Sequence, residues 1–198
     1  MKKLIGFAGM LFLGMLSFAK TDLQLRLCPV FSQVSYQIND EALGNAETVA
    51  ELGVINYNFI DEGEHFGVFE MLGLNFSGNG CFNFSVGAAF GDDLNEAMRF
   101  QGGFGANFFY YSESNSEYSS GDGYNESDNT KIQFGVTADG QMKFTPNRLF
   151  SPVIGITFYF DPLCIGQTIK DGKSVHDNYD YYNRFAFSPY VSFCINLR

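Results

Sequence analysis

From Lys20 onward, bulky apolar residues alternate with small or polar ones in eight short stretches, and that two-residue period confines the chain to β-structure. Cys81 to Phe90 shows it most clearly. Phe82, Phe84, Val86, Ala88 and Phe90 fall on one face, and Asn83, Ser85, Gly87 and Ala89 on the other. The solvated face of a soluble sheet carries charged and strongly polar side chains. This second face is built of Gly, Ser, Asn and Ala, which suits a crowded interior better than water. Apolar outside with small and polar inside is what a membrane sheet needs, and because hydrocarbon tolerates no open edge, such a sheet has to close on itself.

The period predicts strands at Asp22 to Ser35, Val49 to Ile60, Phe66 to Phe76, Cys81 to Phe90, Met98 to Tyr111, Thr130 to Phe144, Phe150 to Phe160 and Asn183 to Leu197. Eight is an even number, as single-chain bacterial barrels have. The fold class expected is all-β: an eight-stranded antiparallel up-and-down transmembrane β-barrel with short periplasmic turns and longer external loops. With the amino terminus in the periplasm, odd-numbered connections face outward. Of these, Tyr36 to Thr48, Ser112 to Asn129 and Asp161 to Tyr182 are long, whereas every even-numbered connection is short. Rings fit the same topology as two belts. Tyr36, Tyr110, Tyr111, Tyr159, Tyr181 and Tyr182 fall at external strand ends, and Tyr57, Phe59, Phe144 and Phe150 near the periplasmic side. Two places depart from the pattern. Ala42, Leu43, Ala46, Val49 and Ala50 recur at helical spacing, which predicts a short helix capping the first external loop. Glu70 shares the face of Val68, Leu72 and Leu74, where a carboxylate would meet lipid at a cost of roughly several kcal/mol. A bulge near Phe69 to Met71 would turn it inward.

Residues 1–19 explain how such a chain would reach a membrane. Lys2 and Lys3 precede the apolar run Leu4 to Phe18, and Ser17-Phe18-Ala19 offers a small-x-small cleavage site, so this segment reads as a cleaved signal peptide. The run is shorter than the roughly 20 residues of a spanning helix. Cys28 lies too far downstream to be a lipoprotein cysteine. Residues 20–198 make one barrel domain on length priors, expected in the outer membrane. The net charge of −10 argues against a nucleic-acid partner. No cofactor and no metal is implied. Ser112 to Asn129 carries Glu113, Glu117, Asp122, Glu126 and Asp128 without a basic residue, and reads as a solvated acidic loop whose spacing matches no calcium-binding ladder. Its Tyr, Ser, Gly and Asn content also suits adaptable adhesive contacts.

On this register the lumen receives Arg26, Arg99, Lys131, Lys143 and Arg184 against Asp139, with Glu51 and Glu70 as further candidates, so the interior is expected to be net cationic. Eight strands enclose a lumen that side chains can fill. Paired charges would then form a buried network. The sharper alternative is a narrow passage for small anions, with Gly73, Gly87, Gly103, Gly105, Gly135 and Gly155 leaving space. Four cysteines, Cys28, Cys81, Cys164 and Cys194, would enter an oxidising compartment. Cys28 and Cys194 project inward on the first and last strands, which must be neighbours; a bond between them would lock the seam, and two small side chains filling the lumen is the preferred reading. Catalysis would need an imidazole, and the histidines are His65, in a periplasmic turn, and His176, beside Asp177 with Ser174 and Asp180 near. Neighbours in sequence do not make a triad, and the chain is expected not to be an enzyme.

In strand pattern and topology the chain resembles the small outer-membrane barrel superfamily, such as the transmembrane domain of outer membrane protein A and the opacity, outer membrane protein X and outer membrane protein W groups. The last strand carries the closest local match. Phe185, Phe187, Val191, Phe193, Ile195 and Leu197 alternate to the end like the family's assembly signal, although the chain closes on Leu197-Arg198, where that signal has an aromatic residue. The resemblance implies a structural barrel, a narrow pore, an adhesin or, less often, a lipid-modifying enzyme. Lipid A deacylases of similar size carry a His-x-Ser pair that this chain lacks. Implied partners are outer-membrane lipid, the barrel assembly machinery and a small solute or host surface ligand. The different-class alternative is a soluble exported barrel with an apolar ligand cavity, in which Arg26, Arg99, Lys131 and Arg184 would face water.

Overall fold

The computed structural model describes residues 21–38, 41–60, 63–76, 81–119, 123–170, 173–177 and 181–197; the segment 1–19, read as a signal peptide, lies outside them. Every regular element among the described residues is a strand: β1 (Thr21–Ile38), β2 (Glu41–Phe59), β3 (Phe66–Asn75), β4 (Cys81–Asn95), β5 (Met98–Ser119), β6 (Gly123–Phe144), β7 (Phe150–Lys170), β8 (Lys173–Asp177) and β9 (Tyr181–Leu197). Consecutive strands from β1 to β7 pair antiparallel, β7 pairs with β9, and β9 returns to β1, so the sheet closes on itself. The short β8 extends only the outer end of β7, from Gly166↔Asp177 to Lys170↔Lys173. The wall therefore has eight strands, all antiparallel.

Several strands run further outward than their apolar period. β5 and β6 stay in register from Met98↔Phe144 to Ser119↔Gly123, so the acidic stretch expected as a loop is a hairpin ladder. Polar composition marked it as loop, but outside a membrane a ladder needs no apolar face. The helix expected over Glu41 to Leu52 does not form. That segment is β2, paired with β1 out to Ile38↔Glu41. A helix so short is marginal by itself, whereas the extended form gives every residue a ladder partner. Asp161 to Lys170 likewise continues β7.

The closing seam carries a local defect. The β1–β9 ladder is continuous to Arg26↔Ser192 and resumes at Phe31↔Phe187. Pro29 and Pro189 lie in the interval, and neither has an N–H to give. The Ser188 hydroxyl donates to the Pro29 carbonyl at 2.8 Å, so a side chain supplies what the ladder lacks there.

Alternation sorts the two faces. Leu25, Leu27, Phe104, Ile154, Val191 and Phe193 stand exposed on the outside, Leu27 at 68 %. Arg26, Glu51, Asp139 and Lys143 are turned inward, Arg26 at 1 % exposure. A soluble barrel requires the reverse, so the reading with these cations in water does not hold. Tyr57, Phe59 and Tyr159, expected in the membrane belts, are buried inside. Phe144, Phe150 and Tyr110 stay on outward positions, Phe150 and Tyr110 at opposite ends of the apolar band. Tyr111, expected in the external belt, takes an inward position on β5.

Candidate functional site: the lumen

The centre of the lumen is organised by Arg26 and Asp139. Arg26 donates to Glu51 Oε1 at 2.6 Å, to the Thr157 hydroxyl at 2.6 Å and to the Tyr159 hydroxyl at 2.8 Å, and its guanidinium lies 5.0 Å from the Tyr190 ring centre. Asp139 accepts from Tyr57 at 2.6 Å and Thr157 at 2.6 Å. The Tyr190 hydroxyl stands 2.9 Å from both Asp139 Oδ2 and Gln141 Oε1. Asp139 is thus held by several hydroxyl donors and Glu51 by the Arg26 guanidinium, the compensation an ion removed from water requires.

Below this, towards the periplasm, Lys143 Nζ and Gln101 Nε2 both donate to Asp22 Oδ2 at 2.5 Å, and Gln141 donates to Gln101 at 2.7 Å. At the periplasmic mouth Arg99 donates to Asp93 at 2.9 Å and to the Glu64 carbonyl, and lies 4.9 Å from the Phe59 ring centre. Above the centre, Arg184 donates to Asp161 Oδ2 at 2.6 Å and covers the Phe109 ring at 4.1 Å. Asn107 donates to the other Asp161 oxygen at 2.6 Å, and Ser85 lies 2.9 Å from both Asn107 Oδ1 and Thr137 Oγ1.

The structure places Arg26, Arg99, Lys131, Asp139, Lys143 and Arg184 on the lumen face, Lys131 near the external mouth and half-buried. The interior is nevertheless not net cationic. Asp22 and Asp161, which the period left at a strand start and in a loop, supply the partners, giving the pairs Arg26–Glu51, Arg99–Asp93, Lys143–Asp22 and Arg184–Asp161. Asp161 turns inward because it continues the alternation of Val153, Thr157 and Tyr159 along β7, in unbroken register with β9 at Asp161↔Arg184.

Glu70 corrects the expectation in another way. The β3 ladders show no register shift, so no bulge turns it inward. It stays on the outward positions of Val68, Leu72 and Leu74, where Asn56 and Asn58 of β2 donate to Oε2 at 3.0 and 3.3 Å, and Thr21 of β1 donates to Asn58 at 2.7 Å. The carboxylate is met by amides on its own face instead of by the lumen.

Cys28 and Cys194 both point inward as free thiols, beside Ser188 and Asn196. Cys194 is opposite Gln24 on β1. Cys28 therefore lies four residues along the strand, about 13 Å at the rise of a β-strand, beyond the roughly 7 Å that a disulfide spans between Cα atoms. The seam is not locked by a bond. His65 Nδ1 is 3.3 Å from the Gly91 carbonyl and 3.9 Å from Asp92. The side chains of Ser174, His176 and Asp177, and the segment holding Asp180, lie outside the described ones.

Two features fill the lumen with side chains. Strands four apart in an eight-strand wall face each other, and Tyr57 of β2 reaches Asp139 of β6 while Gln101 of β5 reaches Asp22 of β1. The inward glycines do not leave space either. A Cβ at Gly73 would meet Glu51 Oε2 at 2.4 Å, one at Gly103 the Phe69 ring at 2.4 Å, and one at Gly155 the Tyr190 ring at 2.5 Å. Their missing side chains are the room that the large ones occupy.

The fold is a closed eight-stranded antiparallel barrel with an apolar outer face. Among solved structures, the chain is similar to Ail, the attachment invasion locus protein of Yersinia pestis, at 12 % identity over 90 % of this chain and 99 % of that one, with a TM-score of 0.44. It is also similar to Neisserial surface protein A, at 8 % identity over 87 % and 96 %, with a TM-score of 0.47. The outer membrane protease OmpT of Escherichia coli is 8 % identical over 89 % and 96 %, with a TM-score of 0.42. At these identities and scores the likeness transfers no function. No protein-family model and no curated protein matches the sequence.

Proposed function

We propose that the protein is a sealed outer-membrane barrel: its lumen is a polar core that holds the wall together, and its external strand extensions carry whatever contact the protein makes with its surroundings. The observation that carries this reading is the bonding of side chains from opposite strands across the lumen, Tyr57 to Asp139 and Gln101 with Lys143 to Asp22. A solute passage would need that axis open. Assembly through the general insertion machinery fits the last strand, whose Phe185, Phe187, Val191 and Phe193 face outward. The reading assigns the chain no reaction.

Thiol labelling tests the seal. In refolded chains keeping only Cys28 or only Cys194, a charged maleimide added from water should leave the native protein unlabelled and label it fully after denaturation. Fast labelling of the native barrel at either position would mean a hydrated lumen and would favour the pore.

A further inference from the structure

The outer wall carries one polar cluster inside its apolar band. Among the described residues, the outward positions between the lower ring of Phe66, Phe90 and Phe150 and the upper ring of Phe31, Leu74 and Tyr110 are apolar, aromatic or glycine, except at Asn56, Asn58 and Glu70. Thr21 joins them at the foot of β1, where its hydroxyl donates to Asn58 Oδ1 at 2.7 Å. Glu70 is four residues from Phe66 and four from Leu74 along β3, about 10 Å of height from either at the rise and tilt of a barrel strand. It therefore lies at the depth of hydrocarbon, where a polar group calls for a polar partner.

The hydrogen bonds within the cluster leave one amide half used. Asn56 Nδ2 and Asn58 Nδ2 both donate to Glu70 Oε2, at 3.0 and 3.3 Å, and Asn58 Oδ1 is taken by Thr21. Asn56 Oδ1 is shielded and accepts nothing, and the same amide keeps a second N–H.

Lipid does not meet this need. Acyl chains have neither donor nor acceptor, and a phosphate headgroup would want a cation, of which the described outward positions of the band hold none. A second copy of the chain does meet it. It lies in the same bilayer with the same groups at the same depth, and an amide with one free N–H and one free carbonyl is complementary to itself. A two-fold axis along the membrane normal beside Asn56 lets each amide donate to the other's Oδ1. The two Glu70 side chains then fall on opposite sides of the axis, one strand spacing out each, about 10 Å apart. Val54, Val68, Val86 and Ala88 border the cluster and are small for this wall, so two barrels can approach closely there.

We infer that the β2–β3 face is an interface at which two copies of the barrel pair in the plane of the membrane through their Asn56 amides. The face lies outside the wall, so the pairing does not depend on whether the lumen is sealed.

The test uses the full mature chain refolded into phosphatidylcholine vesicles, donor- and acceptor-labelled at the amino terminus, over a range of protein-to-lipid ratios. Energy transfer should rise saturably, above the level that random proximity gives. Asn56→Leu, which keeps Asn58 on Glu70 and turns an apolar side chain to lipid, should weaken pairing about tenfold. A boiling-dependent gel shift reads whether the variant is folded. Val54→Trp, which leaves every polar group in place but adds bulk at the approach, should weaken pairing as well. A photoreactive benzoylphenylalanine should give crosslinked dimers in place of Val68 and none in place of Val191 on β9. Transfer no higher than random proximity would overturn the proposal. So would equal pairing of Asn56→Leu and the wild-type chain, or crosslinks from position 68 to lipid alone.

Discussion

At the scale of single residues, the structure turns on ions kept out of water. Arg26 and Glu51 are both within 1 % of full burial, so removing one leaves the other bare. Arg26→Ala should cost about 3–5 kcal/mol of unfolding free energy. Arg26→Met combined with Glu51→Leu should cost less than Arg26→Ala alone, and urea titration in lipid would read both; a double variant worse than the single would contradict the pairing. Alkylation without reductant should add four labels to the denatured chain, because the described geometry keeps Cys28 and Cys194 apart. A mass two units lower, with two labels missing, would show a bond. The cations were legible in the sequence because Arg26, Arg99, Lys143 and Arg184 break into otherwise small or polar faces of clean alternating runs. Their partners were not. Asp161 precedes Pro162 and reads as a turn, Asp22 reads as a strand start, and Tyr57 and Tyr159 look like membrane-belt rings until the register shows which face they take.

Among elements, the wall depends on pairing a glycine with a large inward side chain from an adjacent or next-but-one strand. Gly155→Leu would drive a branched side chain into the Tyr190 ring, and should cost about 1–3 kcal/mol. Gly140→Ala is the control: a Cβ there meets nothing within 4 Å, and stability should be unchanged. On the outer face, Glu70→Leu leaves the Asn56 and Asn58 amides without their acceptor, at roughly 1–3 kcal/mol. Adding Asn56→Leu and Asn58→Leu should recover most of it; failure to recover, read by unfolding in lipid, would mean the three polar groups act separately. The eight strands and their order were readable from period and connection length, because lipid imposes alternation on every spanning residue. The outer ends were not, since no lipid constrains Glu41 to Ala50 or Ser112 to Ser119. There composition suggested helix and loop, while cross-strand pairing decided the outcome.

For the molecule as a whole, closure of the sheet and closure of the lumen are separate facts. β9 meeting β1 removes the sheet edge within the membrane, and the Arg26 and Asp139 network fills what the sheet encloses. Four cations each with a carboxylate leave little net charge to draw an anion inward, so the interior reads as structural core. Conductance of the refolded mature chain in a planar bilayer tests this most directly. The account predicts a quiet membrane once insertion is verified by a boiling-dependent gel shift, with current appearing only when Tyr57, Tyr190 and Arg26 are truncated together. A steady ohmic step from the wild-type chain would contradict it.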